Sequence, residues 1–347
     1  MNRKQSIVFH LIGWHQQGAL GDDLLAIAVK QIFDEGARSY GIDLVWGESP
    51  ETSDYIIVGG GTLLGIDNIG ILETLLKCRK PYSIFGTGFR RERRDIGKVN
   101  ADRLRELLEN ADFVFLRGYL SKQFCVHAGI KRGEVIGDPA FQFSPIPVPM
   151  EEGHGIKVGV SIRSMDNQSE PQYTDNDHCR EMIRDIANFV AGQKRCEFFF
   201  FDLAKNIYDA DQLAISALIT DLNGKYHCHM VPFSMGVEKA FSILARMDYM
   251  ISQRLHPTIV AWSNGVSHIS LDYQNGKTED FLSTIGMTEF GLRTDDFTMG
   301  GYRRKWNRLM KERATVSSQA LQSVVYWRDI QRSAAKKILQ QSIRTGE

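Results

Sequence analysis

Strand-like and helix-like segments alternate along almost the whole chain, and the alternation breaks once, at Ser144-Pro145-Ile146-Pro147-Val148-Pro149. Before the break, short apolar strand patterns occupy residues 7–12, 43–46, 55–58, 82–85, 113–116 and 134–136, with helical patterns at 23–37, 101–110 and 120–128. After it, strand patterns recur at 157–162, 197–201, 227–231, 249–252 and 268–271, and helical ones at 177–191, 211–222, 237–245 and 257–264. Strands joined through helices pair in parallel, so the pattern specifies parallel sheets with helices on both faces. Prolines at alternate positions make a stiff connector. The expectation is an α/β chain of two domains, 1–148 and 149–300, facing each other across a cleft, followed by a basic helical tail, 301–347.

Composition enters where it excludes partners. With 42 Lys and Arg against 42 Asp and Glu, nothing global points to nucleic acid. The charge is uneven, since residues 302–347 hold eleven basic side chains and three acidic ones. Two stretches there, 302–313 and 316–343, are amphipathic, as C-terminal helices would be. Such a face can attract anionic lipid headgroups, so peripheral membrane contact is one expectation. A packed domain-crossing helix with a solvated basic face, laid back on the first domain, is the plainer one. The five cysteines are scattered without C-x-x-C spacing, and no signal-like apolar segment opens the chain. That pattern fits a reducing cytoplasmic compartment, at the inner membrane face if the tail binds lipid. No apolar run approaches the roughly 20 residues that span a bilayer.

The informative glycines and charges fall just past the strands, where ligands bind in open α/β sheets. Gly18-Ala19-Leu20-Gly21-Asp22-Asp23 opens the first helix, and Gly59-Gly60-Gly61-Thr62 follows the third strand. Gly86-Thr87-Gly88 leads into Arg90-Arg91-Glu92-Arg93-Arg94, and Gly137-Asp138-Pro139 follows the sixth strand. Glycine lets backbone approach a ligand, and exposed N–H groups bind anions. Each signal also has a structural reading: a tight turn for Gly59, Gly60 and Gly61, an N-cap for Asp22, a solvated loop for Arg90 and Arg91. His227-Cys228-His229 invites zinc, but no second ligand pair has suitable spacing, and alternation along a strand explains it. No metal is expected.

The sharpest feature is Ser252-Gln253-Arg254-Leu255-His256-Pro257. An extended run would point Arg254 and His256 the same way, with Pro257 opening the next helix. A fixed cation beside a protonatable imidazole at a helix N-terminus suits chemistry on an anion. Arg163, ending the seventh strand, is the second cation, and the polar loop 164–170 after it resembles a site rim.

Taken in order, Gly21-Asp22-Asp23, Ile57-Val58-Gly59-Gly60-Gly61-Thr62-Leu63-Leu64, Gly86-Thr87-Gly88, Arg117 with Ser121, Gly137-Asp138-Pro139-Ala140-Phe141, the Arg254 segment, and Asp272-Tyr273 with Lys277 resemble the polysaccharide pyruvyl transferase family. The resemblance covers about the first 285 residues. It implies two Rossmann-like domains in a GT-B-like arrangement, and transfer of pyruvate from phosphoenolpyruvate to a sugar as a ketal. Phosphoenolpyruvate is then a co-substrate, and no cofactor is required. Matching positions make Arg163 and Arg254 the phosphoenolpyruvate clamps and His256 the general acid. Asp22, Gly59, Gly60, Gly61, Thr62, Arg90 and Arg91 fall on the acceptor side, where the partner is a sugar, lipid-linked or not. Two other classes stay open. A nucleotide-sugar glycosyltransferase uses the same fold and would place an acid such as Glu238 on the donor ribose; a non-catalytic subunit of a polysaccharide assembly complex would make use of the tail.

Overall fold

Residues along a strand point alternately to opposite faces, and the strand Tyr55–Gly59 shows why both faces of its sheet are covered. Tyr55 and Ile57 join one apolar cluster, with Phe9, Phe33, Phe85 and Phe115. Ile56 and Val58 join another, with Ile84, Val114, Leu107 and Leu108. The structure, a computed structural model, describes residues 6–64, 69–89, 98–150, 153, 155–163, 176–205, 211–272 and 276–345. Arg90, Arg91, the loop 164–170 and Tyr273 lie outside the described residues.

The elements run β1 (Ser6–Ile12), α1 (Leu20–Tyr40), β2 (Asp43–Trp46), β3 (Tyr55–Gly59), α2 (Ile69–Cys78), β4 (Tyr82–Thr87), α3 (Lys98–Asn110), β5 (Val114–Leu116), α4 (Tyr119–His127) and β6 (Glu134–Val135). They continue with β7 (Ile156–Ser161), α5 (Asn176–Gln193), β8 (Cys196–Phe201), α6 (Asp211–Leu222), β9 (His227–Val231), α7 (Val237–Leu244), β10 (Tyr249–Ser252), α8 (Leu255–Ser263), β11 (Ser267–Asp272), α9 (Lys277–Thr284), β12 (Gly291–Arg293) and α10 (Met299–Thr345). Each of the two sheets has six strands, in the orders β2-β1-β3-β4-β5-β6 and β12-β11-β10-β7-β8-β9. Every pairing between these strands is parallel. The strand order reverses between β1 and β3 in the first sheet and between β7 and β10 in the second. Those switch points are where an α/β sheet opens a crevice for ligands.

By its internal contacts the chain divides into two compact units. One holds the residues up to His15, Leu25–Gln142 and Val325 onward; the other holds Gln16–Leu24 and Phe143–Val324. The division falls ahead of the prolines, and the short segment at the start of α1 groups with the second unit.

The tail is one continuous helix of 47 residues. Nothing between Arg313 and Val316 is Gly or Pro, so no residue there ends a helix. Many of its apolar positions are packed, while Leu321, Val325 and Tyr326 stay exposed. Tyr302, Trp306, Leu309, Val316, Ala320 and Val324 are buried in the second unit's share, and Ala334, Ala335, Ile338 and Leu339 join the first unit's core. Among the described residues no helix is long and apolar enough to cross a membrane.

The same helix explains one glycine motif. Gln331, fully buried, donates to the Asp138 carbonyl at 2.8 Å and receives the Gln142 amide at 3.0 Å. A Cβ on Gly86, at φ +63°, would lie 2.4 Å from Pro139 Cγ. Gly86 and Pro139 are thus fitted to each other.

Candidate functional site

The register of the second sheet assembles the site. Ser161 of β7 pairs with Ser252 of β10, so Arg163 and Arg254, each two residues further on, leave adjacent strands side by side at the switch point. Gln253, 1% exposed, locks that step. Its N–H donates to the Ser161 carbonyl at 2.9 Å, and its Oε1 accepts the Arg163 N–H at 3.1 Å.

Arg254 is the N-cap of α8, at φ −83° and ψ 141°, and His256 is the second helical residue. The two therefore do not share an extended run, and Pro257 stands third in the helix, where its missing N–H still costs no helical bond. The Arg254 carbonyl receives the hydroxyls of Ser252 at 2.8 Å and Thr258 at 3.0 Å. Behind Thr258 lies His268, fully buried. Its Nδ1 donates to the Met250 carbonyl at 2.8 Å and its Nε2 faces the Thr258 hydroxyl at 3.0 Å.

Burial pushes the His268 imidazole down to about 4. Folded, it stays neutral; unfolded, it takes up a proton below about 6.5. Its contribution to stability is therefore intact above that pH and lost as pH falls toward 4, a loss on the order of 3 kcal/mol. A His268→Gln variant should show a shallower fall in melting temperature between those pH values. An unchanged slope would assign the acid sensitivity elsewhere.

The Arg254 guanidinium is held from behind. Its Nε and Nη2 donate to the two carboxylate oxygens of Asp211, each at 2.6 Å, and Asp211 is fully buried at the start of α6. This side-on fork fixes the guanidinium plane. Asp202, one residue past β8 and 5% exposed, is part of the same charge cluster. Burial and then the Asp211 carboxylate raise its carboxyl above the usual range, opposed by the Phe233 backbone, Arg254 and Lys205. Its Oδ1 has no hydrogen-bond partner among the described residues.

Asp22 is not an N-cap. Helix α1 starts at Leu20, so Asp22 lies in its first turn, its N–H on the Ala19 carbonyl at 3.1 Å. Two acids in that turn, Asp22 and Asp23, complement the positive end of the helix.

In the first unit, Gly59, Gly60, Gly61 and Thr62 flank the other switch point, after β3. Gly60 and Gly61 have φ +75° and +65°, and a Cβ on Gly60 would lie 2.8 Å from Leu25 Cβ. The loop runs beside Gly86-Thr87-Gly88: Gly60 N–H bonds Phe85 O, Leu63 N–H bonds Thr87 Oγ1, and Gly61 O accepts Gly88 N–H. Thus much of its hydrogen bonding is internal, and its glycines are accounted for by turn geometry. Thr62 is the half-exposed member.

Among the described residues no group of three His, Cys, Asp or Glu side chains stands ready for a metal. The His229 ring stacks on Phe199 at 4.6 Å, and its Nε2 is 3.8 Å from Glu197.

Sequence reasoning missed Asp211, Gln253 and Asp202. Asp211 opens the helical pattern 211–222, and nothing linear ties it to a partner 43 residues away.

Two parallel sheets of six strands, helix-covered, with a charged switch point in the second, make this a two-unit α/β protein of the Rossmann-like class. Solved structures agree on the fold. Anabaena Alr3699/HepE in complex with UDP and glucose is 12% identical, with a TM-score of 0.57 over 97% of this chain and 99% of that one. The S. aureus MnaA-UDP co-structure is 9% identical, with a TM-score of 0.55 over 92% and 90%. A putative UDP-N-acetylglucosamine 2-epimerase from Listeria monocytogenes is 12% identical, with a TM-score of 0.52 over 92% and 91%. No curated protein sequence matches. The pattern of the family described as polysaccharide pyruvyl transferase matches residues 19–275, and the chain belongs to that family.

Proposed function

We propose that the protein transfers pyruvate from phosphoenolpyruvate to two hydroxyls of a sugar, in a polysaccharide or its precursor, forming a ketal and releasing phosphate. The observation that carries this reading is the pairing of Arg163 and Arg254 across the β7–β10 switch point with His256 in the adjoining helix turn. Phosphoenolpyruvate carries a carboxylate and a phosphate, which suit two guanidinium groups. In the reaction a proton goes to the methylene carbon, which becomes the ketal methyl. One sugar oxygen bonds to C2, and a second bonds there as the C2–O bond to phosphate breaks. The hydroxyls lose two protons; one balances the proton given to carbon and the other leaves with phosphate. His256 is the donor to carbon, Asp211 orients Arg254, and Asp22 faces the acceptor. The tail's basic face is the part suited to an anionic lipid-linked acceptor at a cytoplasmic membrane surface, and liposome co-sedimentation tests that.

Arg163→Ala should weaken phosphoenolpyruvate binding by about 10- to 100-fold, the loss of one charge-assisted hydrogen-bond set. Isothermal titration measures this, and unchanged affinity would remove Arg163 from the clamp. Arg254→Ala is a poorer test because it also strands the buried Asp211.

One observation favours a second reading: solved neighbours of this fold hold UDP or UDP with glucose. A nucleotide-sugar transferase would use Glu238, which is exposed in the first turn of α7. A thermal-shift screen with phosphoenolpyruvate and with UDP-sugars separates the two. Stabilisation by phosphoenolpyruvate alone supports the first.

A further inference from the structure

We propose that Gly21 is a positioning residue: a bare turn of α1 on which the His256 side chain rests, so that the segment Gln16–Leu24 sets where that imidazole points. The inference rests on the role given above to His256. A Cβ built on Gly21 would lie 2.1 Å from His256 Nδ1, 2.7 Å from Cγ and 3.0 Å from Cβ. Real Cβ atoms essentially never come within 3.0 Å of another heavy atom, as two of these would, and the two include Cγ, where the ring is attached. A small twist of the ring tip cannot relieve the overlap; the imidazole must leave its place.

Backbone conformation does not explain the glycine. Gly21 lies within α1 and is not among the residues with positive φ. A glycine inside a helix is less favourable than alanine. The missing side chain is therefore explained by what lies against it.

The turn cannot retreat instead of the ring, because the segment before it is pinned. Leu20 N–H donates to the Leu203 carbonyl at 3.0 Å, and Lys205 N–H donates to the Gly18 carbonyl at 2.8 Å. Ala19 and Ala204 form an antiparallel bridge between these bonds. Leu203, Ala204 and Lys205 directly follow Asp202, on the connection from β8 to α6, and α6 opens with the Asp211 that grips Arg254. One connection thus carries both supports, the fork behind Arg254 and the strip that holds Gly21 against His256. The segment supplied from the start of the chain is a working part of the second unit's site.

The test uses the full chain. Gly21→Ala should lower kcat by about 100-fold, the scale of a misplacement near 1 Å. Its dissociation constant for phosphoenolpyruvate should stay within about twofold, since the two arginines are untouched. Thermal melts need no substrate and judge the contact separately. Gly21→Ala should lower the melting temperature by several degrees in the wild-type background and by little in the His256→Ala background, where the space is vacated. Gly192→Ala in α5, where a Cβ meets open space, serves as the control and should not lower it. If Gly21→Ala alone fails to fold, recovery of folding in the double variant with His256→Ala supports the contact. An equal loss in both backgrounds, absence of that recovery, or a kcat within twofold of wild type overturns the proposal. If the wild type transfers no pyruvate at all, the proposed function fails while the melting cycle still decides the contact.

Discussion

Asp211→Ala is expected to destabilise the second unit by about 3–5 kcal/mol, the scale of breaking a buried ion pair by removing one partner. The Asp211 side chain is 0% exposed and that of Arg254 14%, so water does little to rescue the guanidinium left behind. Both bonds are 2.6 Å and side-on, and both are lost together. Arg254→Ala should be costly as well, because it removes both 2.6 Å bonds from a fully buried carboxylate whose charge acts on Asp202. The double variant should cost clearly less than the sum of the two, since neither charge then stands alone. Urea denaturation measures all three. If each single variant lost less than about 1 kcal/mol, the pair would be no more than a surface contact in energy.

His256→Ala is expected to lower the transfer rate by about 10²–10⁴-fold, the range for removing a positioned general acid. The side chain is half-buried and stands in the first turn of α8, so its loss should leave the fold intact. Circular dichroism and phosphoenolpyruvate titration establish that the protein remains folded and binding-competent. A variant that keeps near wild-type turnover would take the imidazole out of the proton transfer.

The two sheets were legible because period-two apolar runs such as 55–58 and 249–252 sit between helical patterns, and that signal is local. Strand β12, only Gly291–Arg293, escaped it because three residues carry no period. At the site, Arg163, Arg254 and His256 were visible as charges just past strands. Their neighbourhood was not. Asp211, Gln253 and Gly21 matter through contacts set by the β7–β10 register and by the connection after β8, and no linear spacing encodes those. In the first unit, Gly60, Gly61 and Gly86 have positive φ, and Gly60 and Gly86 also pack closely against Leu25 and Pro139, which no spacing in the sequence announces.

Phosphoenolpyruvate-dependent ketal formation is the central claim, and product stoichiometry tests it most directly. Purified protein, phosphoenolpyruvate and a panel of nucleotide-linked and lipid-linked sugars are incubated together, with released phosphate and acetal-methyl resonances followed in parallel. Acceptor-dependent phosphate release matched one-to-one by a new ketal methyl group is expected, with neither product from His256→Ala. Sugar transfer from a UDP-sugar, with no phosphate released from phosphoenolpyruvate by any acceptor, would contradict it.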